Sequence, residues 1–138
     1  YQYKVWDWDR PGNIKDYIAK LNRIRRDNPA LQRNRGLKFY RAENENVLFY
    51  GKHADRNHIL VAVNLNPYEA QEAVVHVPLH ALGIRGDETY QLHDLITDKR
   101  YYWKGERNFV KLDPQHEPAH VFQLKRWSHR EHDFDYFL

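Results

Sequence analysis

Ile59-Leu60-Val61-Ala62-Val63-Asn64-Leu65, closed by Asn66-Pro67, is the stretch on which the fold turns. It is the longest nearly unbroken apolar run, and β-branched residues dominate it. A strand covered on both faces has this composition, whereas an edge strand usually alternates. Its odd members Ile59, Val61, Val63 and Leu65 put bulk on one side, and Leu60 and Ala62 put a lighter apolar set on the other. The run stops at Asn64–Pro67, because proline lacks the ladder N–H and asparagine readily caps turns. It is core and carries no reactive group.

Outward from this run, a period of two holds from Leu37 to the end of the domain. It predicts strands near 37–41, 46–52, 58–65, 72–78, 89–94, 99–103, 108–112 and 119–125. Short polar connections such as Glu43-Asn44-Glu45, Asp55-Arg56-Asn57 and Lys104-Gly105-Glu106 make the set an antiparallel sandwich or barrel. One helical turn interrupts it at Pro78–Gly83, with Leu79 and Leu82 packing down and Gly83 as its cap. Upstream the period changes to that of a helix. Pro11-Gly12 breaks the chain, Asn13 is the N-cap, Asp16 takes the capping-box position, and Asn28-Pro29 is the stop. Ile14, Ile18, Leu21 and Ile24 form a narrow apolar stripe on a helix roughly 21 Å long. The expected fold is mainly β, an antiparallel sandwich preceded by one amphipathic helix.

Both ends are rich in aromatics. Tyr1, Tyr3, Val5, Trp6 and Trp8 alternate with Lys4, Asp7 and Asp9, as in an extended segment that buries one face. The tail from Trp127 to Leu138 carries Phe134, Tyr136, Phe137 and Leu138 beside its charges, and is expected to dock either on this domain or on another domain or subunit. A chain that opens on Tyr1 and contains no methionine among its 138 residues is expected to be a fragment or a processed form.

Composition narrows the function. No run of apolar residues is long enough to span a bilayer, and no leader peptide is visible, so a membrane partner is not expected. With no cysteine there are no disulfides and no thiolate metal sites. Nine histidines fall in no ligand spacing and are expected as scattered surface residues, so neither metal nor cofactor is anticipated. A net charge of +3, with its densest cations spread from Arg23 to Arg41, is too diffuse for a nucleic-acid partner.

Catalytic residues are not found either. Sugar chemistry asks for two carboxylates facing each other across a cleft. Asp7 and Asp9 have no visible partner, Asp94 and Asp98 bracket an ordinary polar hairpin loop, Asp113 ends a strand, and Asp133 and Asp135 lie in the tail. Ser128 adjoins His129 in sequence, which is not how a nucleophile and its base meet in space. Tyr101, Trp103 and Trp127 remain as a possible aromatic surface for a sugar ring, with Tyr102 facing the other way.

Longer blocks carry a resemblance. They are Leu21-Asn22-Arg23-Ile24-Arg25-Arg26-Asp27-Asn28-Pro29-Ala30-Leu31, Val63–Pro67, Val77–Leu79, Ala81–Gly83, His93–Thr97, Tyr102–Pro114 and Pro118–Val121. Together they resemble the C-terminal part of the bacterial α-1,4-glucan:maltose-1-phosphate maltosyltransferases (GlgE) of the α-amylase superfamily. The resemblance implies that residues 1–31 are the end of a catalytic (β/α)8 barrel whose last helix is the one predicted here. Residues 32–126 would then be the C-terminal sandwich and 127–138 its tail. It further implies a retaining enzyme that extends α-1,4-glucans with maltosyl units from maltose-1-phosphate. That enzyme would be cytoplasmic and homodimeric, with its catalytic carboxylates upstream of Tyr1 and with Tyr1 itself as a donor contact. The fragment would be inactive alone. A trehalose synthase or branching enzyme of the same superfamily, or a stand-alone α-glucan-binding module, is the alternative.

Overall fold

The apolar run lies third in a six-stranded antiparallel sheet whose order is Lys38–Tyr40, Val47–Ala54, Asn57–Asn64, Ala119–Arg126, Thr89–Asp94 and Arg100–Lys104, and a two-stranded sheet of Gln71–His76 and Arg107–Leu112 faces it. The computed structural model describes residues 15–126. Its elements are α1 (Lys15–Asp27), a 3-10 turn (Pro29–Gln32), β1 (Lys38–Tyr40), β2 (Val47–Ala54), β3 (Asn57–Asn64), β4 (Gln71–His76), α2 (Leu79–Leu82), β5 (Thr89–Asp94), β6 (Arg100–Lys104), β7 (Arg107–Leu112) and β8 (Ala119–Arg126). Every predicted strand is present, displaced by at most two residues at either end. The expected Asn13 cap, the aromatic segment before it and the tail after Arg126 lie outside the described residues.

β3 separates two apolar layers. Leu60 and Ala62 enter the main core between the sheets, with Phe49, Val75, Leu92, Leu112 and Phe122. Ile59 and Val61 enter a second cluster with Ile24, Ala30 and Val121, beneath α1 and the 3-10 turn. The strand ends at Asn64, so Leu65 does not extend the bulky face as expected and is 54% exposed. The reason is local: Asn64 Oδ1 accepts from Asn66 N–H and Asn64 Nδ2 donates to the carbonyls of Glu69 and Leu112, turning the chain one residue early. At Gly51, opposite Leu60, the Tyr40 ring crosses the strand so closely that a Cβ would lie 2.8 Å from it. α2 ends as predicted on Gly83, whose φ of 69° is left-handed.

The stripe of α1 is only partly covered. Ile24 is buried, but Tyr17, Ile18 and Leu21 remain 36–41% exposed. What fixes the helix is its C-terminal end. Buried Asn28 donates from Nδ2 to the Ile24 carbonyl (2.9 Å) and accepts at Oδ1 from Asn57 Nδ2 (3.0 Å). Asn57 Oδ1 in turn accepts the Ala30 N–H at 3.0 Å. Gln32 Nε2 closes two helix-end carbonyls, those of Arg25 and Arg26. Asn57 begins β3, so a pair of amides bolts the helix end to the β2–β3 hairpin.

Asn57→Ala removes both bonds and leaves the Ala30 N–H and a buried Asn28 carbonyl unpaired. The variant should lose about 1–3 kcal/mol, read as a lower urea midpoint at unchanged slope. Exposed Arg56→Ala, one residue earlier, should change stability by no more than about 0.5 kcal/mol.

Candidate functional site

β6 and β7 are consecutive strands that belong to different sheets. They part at Gly105, where φ is 78°, β6 pairing with β5 in the large sheet and β7 with β4 in the small one. Diverging strands leave a wedge, and the wedge is a cleft of about 380 Å³. Tyr101 and Trp103 from β6 wall one side, and Phe109 and Lys111 from β7 the other. His120 and Phe122 of β8 also line it, and the loop after β7 closes one end with Asp113, His116 and Glu117.

The loop is held in shape. Asp113 and Glu117 exchange backbone bonds of 3.0 and 2.8 Å. Asp113 also accepts from the Gln115 N–H, and Lys99 Nζ reaches back to Glu117 at 2.9 Å. The Gln115 N–H and the His116 ring lower the Asp113 pKa. Both cleft carboxylates come from one loop, so they do not face each other across the cleft as a glycosidase pair would.

Beside the cleft sits the one buried acid of the described residues. Asp94 is fully buried, and His120 Nδ1 lies 2.7 Å from its Oδ2. The Ile96 N–H and the Thr97 hydroxyl donate to the same carboxyl at 3.0 Å each. Burial pushes the Asp94 pKa up, but the bonds from His120, Ile96 and Thr97 outweigh it and hold the group below the usual carboxylate range. An ionised Asp94 has no proton to give, so His120 Nδ1 carries the hydrogen. The His120 ring stacks on Phe122 at 4.9 Å and meets the Tyr101 ring edge-on at 5.8 Å.

Two expectations are corrected here. Asp94 is not part of an ordinary polar loop, and the histidines are not all superficial, His120 being 3% exposed. The pairing explains both, and strand phase could have revealed it. Asp94 is in register with inward Tyr90 and Leu92, and His120 with inward Phe122. His93, on the outer phase, pairs instead with Asp98 and lowers its pKa.

Tyr101 and Trp103 do share one face, as period two requires. That face is the inner one. Trp103 is 8% exposed, with its ring 5.3 Å from Phe122 and 6.4 Å from Tyr90, so the pair forms a cleft wall rather than an open platform. Tyr102 points outward and is 54% exposed, its hydroxyl accepting from Gln91 Nε2. Tyr1 and Trp127 lie outside the described residues. The aromatic that sequence reading passed over is Phe109, 58% exposed at the cleft. Its only signal was an apolar residue in the polar phase of β7. Further along the small sheet, Glu43 joins His76 of β4 (2.7 Å) to Arg107 of β7 (3.0 Å), and both contacts lower its pKa. Among the described residues no group of three or more His, Asp or Glu is placed to hold a metal ion.

The model of the family described as "GLGE, C-terminal" matches residues 39–124, which include every strand from the end of β1 to β8 and the whole cleft. The chain belongs to the GlgE C-terminal family. The α-1,4-glucan:maltose-1-phosphate maltosyltransferase of Myxococcus xanthus is 48% identical over 99% of this chain, and that of Pseudomonas aeruginosa 43% identical over 91%. The chain spans only 21% and 19% of those two proteins. Solved structures similar to it include the amylase AmyP in complex with maltotriose (TM-score 0.64, 22% identity, 83% of this chain and 21% of that one). The α-amylase of Geobacillus thermoleovorans complexed with acarbose is also similar (TM-score 0.64, 18% identity, 89% of this chain and 25% of that one). At these identities the likeness is one of fold, the amylase type of C-terminal sandwich.

The pair beside the GlgE cleft sets an acid limit. A carboxyl with a depressed folded pKa contributes stability that is present above its unfolded pKa and lost as pH falls through the folded value. Wild-type stability should therefore decline from about pH 4 downward. Asp94→Ala should be less stable at pH 7 by about 3–5 kcal/mol and should show a flatter profile below pH 4, measured by urea denaturation across pH.

Proposed function

We propose that the chain is the C-terminal accessory region of a retaining transferase that moves maltosyl units from maltose-1-phosphate to the non-reducing end of α-1,4-glucans. The 138 residues alone do no chemistry. One observation carries this reading: relatives named for that activity align over 91–99% of this chain but over no more than 21% of their own length. The chemistry then belongs to the remaining four-fifths, in keeping with a cleft whose carboxylates both come from one loop.

In this reading residues 1–31 complete a catalytic barrel, 32–126 form the sandwich and 127–138 the tail. The stripe of Tyr17, Ile18 and Leu21, open in the chain by itself, faces the rest of that barrel. The Asn28–Asn57 amides hold the barrel's last helix against the sandwich, which makes the domain a brace. Tyr1 contacts the maltosyl donor at the barrel mouth, and the intact enzyme works in the cytoplasm as a homodimer. Among the described residues no helix is long and apolar enough to cross a membrane.

The 138-residue chain, given maltose-1-phosphate and glycogen, should release no phosphate; measurable release would overturn the proposal. Leu21→Asp separates the brace from a free module. In the chain alone, where Leu21 is already 36% exposed, it should cost only about 1 kcal/mol. In the longer protein it should cost about 2 kcal/mol or more and lower transfer activity, compared by thermal melts and phosphate release.

A further inference from the structure

The wedge between β6 and β7 has features that the bracing role does not require. Phe109 occupies an outward position of β7 and keeps 58% of its surface exposed, where packing alone would favour a polar residue. Across from it stands the half-buried ring of Tyr101. Lys111 and, from the 113–117 loop, Asp113, His116 and Glu117 add polar groups to the lining. A volume of about 380 Å³ is within the range of small-molecule sites.

We propose that this cleft is a subsite for a neutral, maltose-sized stretch of α-glucan, with Phe109 as its stacking surface. The class of occupant follows from the chemistry of the walls. A pyranose offers an apolar CH face to a ring and hydroxyls that donate and accept at its rim, and the cleft supplies both. The Asp113 and Glu117 carboxylates accept sugar hydroxyls, and Lys111 donates to ring or hydroxyl oxygens. The two carboxylates are matched by Lys111 and by Lys99, which pairs with Glu117, so no surplus positive charge is left to hold a phosphate and the cleft favours uncharged glucan over the phosphorylated donor. The choice of α-linked glucose rests on the transferase reading above; the preference for a neutral polyol rests on the cleft alone.

The cleft is also preorganised. The Gly105 turn sets the angle at which β6 and β7 part, Lys99–Glu117 fixes the loop, and Asp94 fixes the His120 ring beside Tyr101. A site whose walls are already held loses little side-chain freedom on binding.

The test is a titration of the 138-residue chain with maltotriose, followed by amide and aromatic NMR shifts. Saturable millimolar-range shifts confined to residues 101, 109–111, 113–117 and 120–122 are expected. Phe109→Ala should weaken binding about tenfold while leaving the fold intact, because its ring is exposed; Tyr68→Ala, 87% exposed elsewhere, should bind as wild type. Asp113→Asn should weaken maltotriose and, by removing one negative charge, narrow the preference for maltose over maltose-1-phosphate. Absence of saturation, an unchanged affinity in Phe109→Ala, or tighter binding of maltose-1-phosphate than of maltose by the wild type would overturn the proposal. None of these readouts uses maltosyl transfer. Failure of the transferase assay with an intact cleft titration, or the converse, therefore tells the two readings apart.

Discussion

Unequal sheets are the constraint on which this domain depends. Six strands at about 4.8 Å spacing present a face more than twice as wide as two strands can cover. The uncovered part of the inner face must be dealt with some other way. On the β1–β2 side, α2 does this, its Leu79 and Leu82 packing against the main core and Leu82 lying close to Tyr40 and Gly51. On the β6 side nothing equivalent among the described residues closes the gap, and the cleft results. The buried Asp94–His120 pair stands at that same margin, where a polar pair can be satisfied by the turn at Ile96 and Thr97 rather than by water.

β3 is the reason the large sheet can carry load on its other face as well. Its inner residues seal the sandwich while Ile59 and Val61 seat the 3-10 turn and the end of α1. Each layer is small, and neither would exclude water without the strand between them. The helix therefore rests on the sheet by a few apolar contacts and two amides, and part of its own stripe stays exposed.

Much of this was legible in the sequence because the relevant signals repeat. Eight strands announced themselves through period two, Gly83 and Gly105 through the turns they permit, and the double coverage of β3 through an apolar run that did not alternate. Residues whose role depends on a distant partner were not legible. Asp94 and His120 are 26 positions apart, and each alone looks like surface chemistry; only their shared inward phase gave a hint. Asn57 read as a turn residue, since nothing local says that its amide meets Asn28. Phe109 was passed over because an apolar residue in the polar phase of one strand has no neighbour in sequence that marks it as part of a cleft. The cleft follows from where strands diverge, and divergence of β6 from β7 has no local code beyond one glycine.

The Asn28–Asn57 amides have a consequence for how such a chain can be divided. By sequence the natural cut falls near residue 31, between helix and sandwich. Physically, the last turn of the helix is held by the hairpin that begins β3, so the joint lies within α1 rather than after it. A sandwich transplanted into another protein would keep its hairpin intact only if the Ile24–Gln32 segment travelled with it. Recombination between relatives should accordingly be tolerated upstream of that segment, and a crossover at the apparent linker should leave one amide facing a stranger.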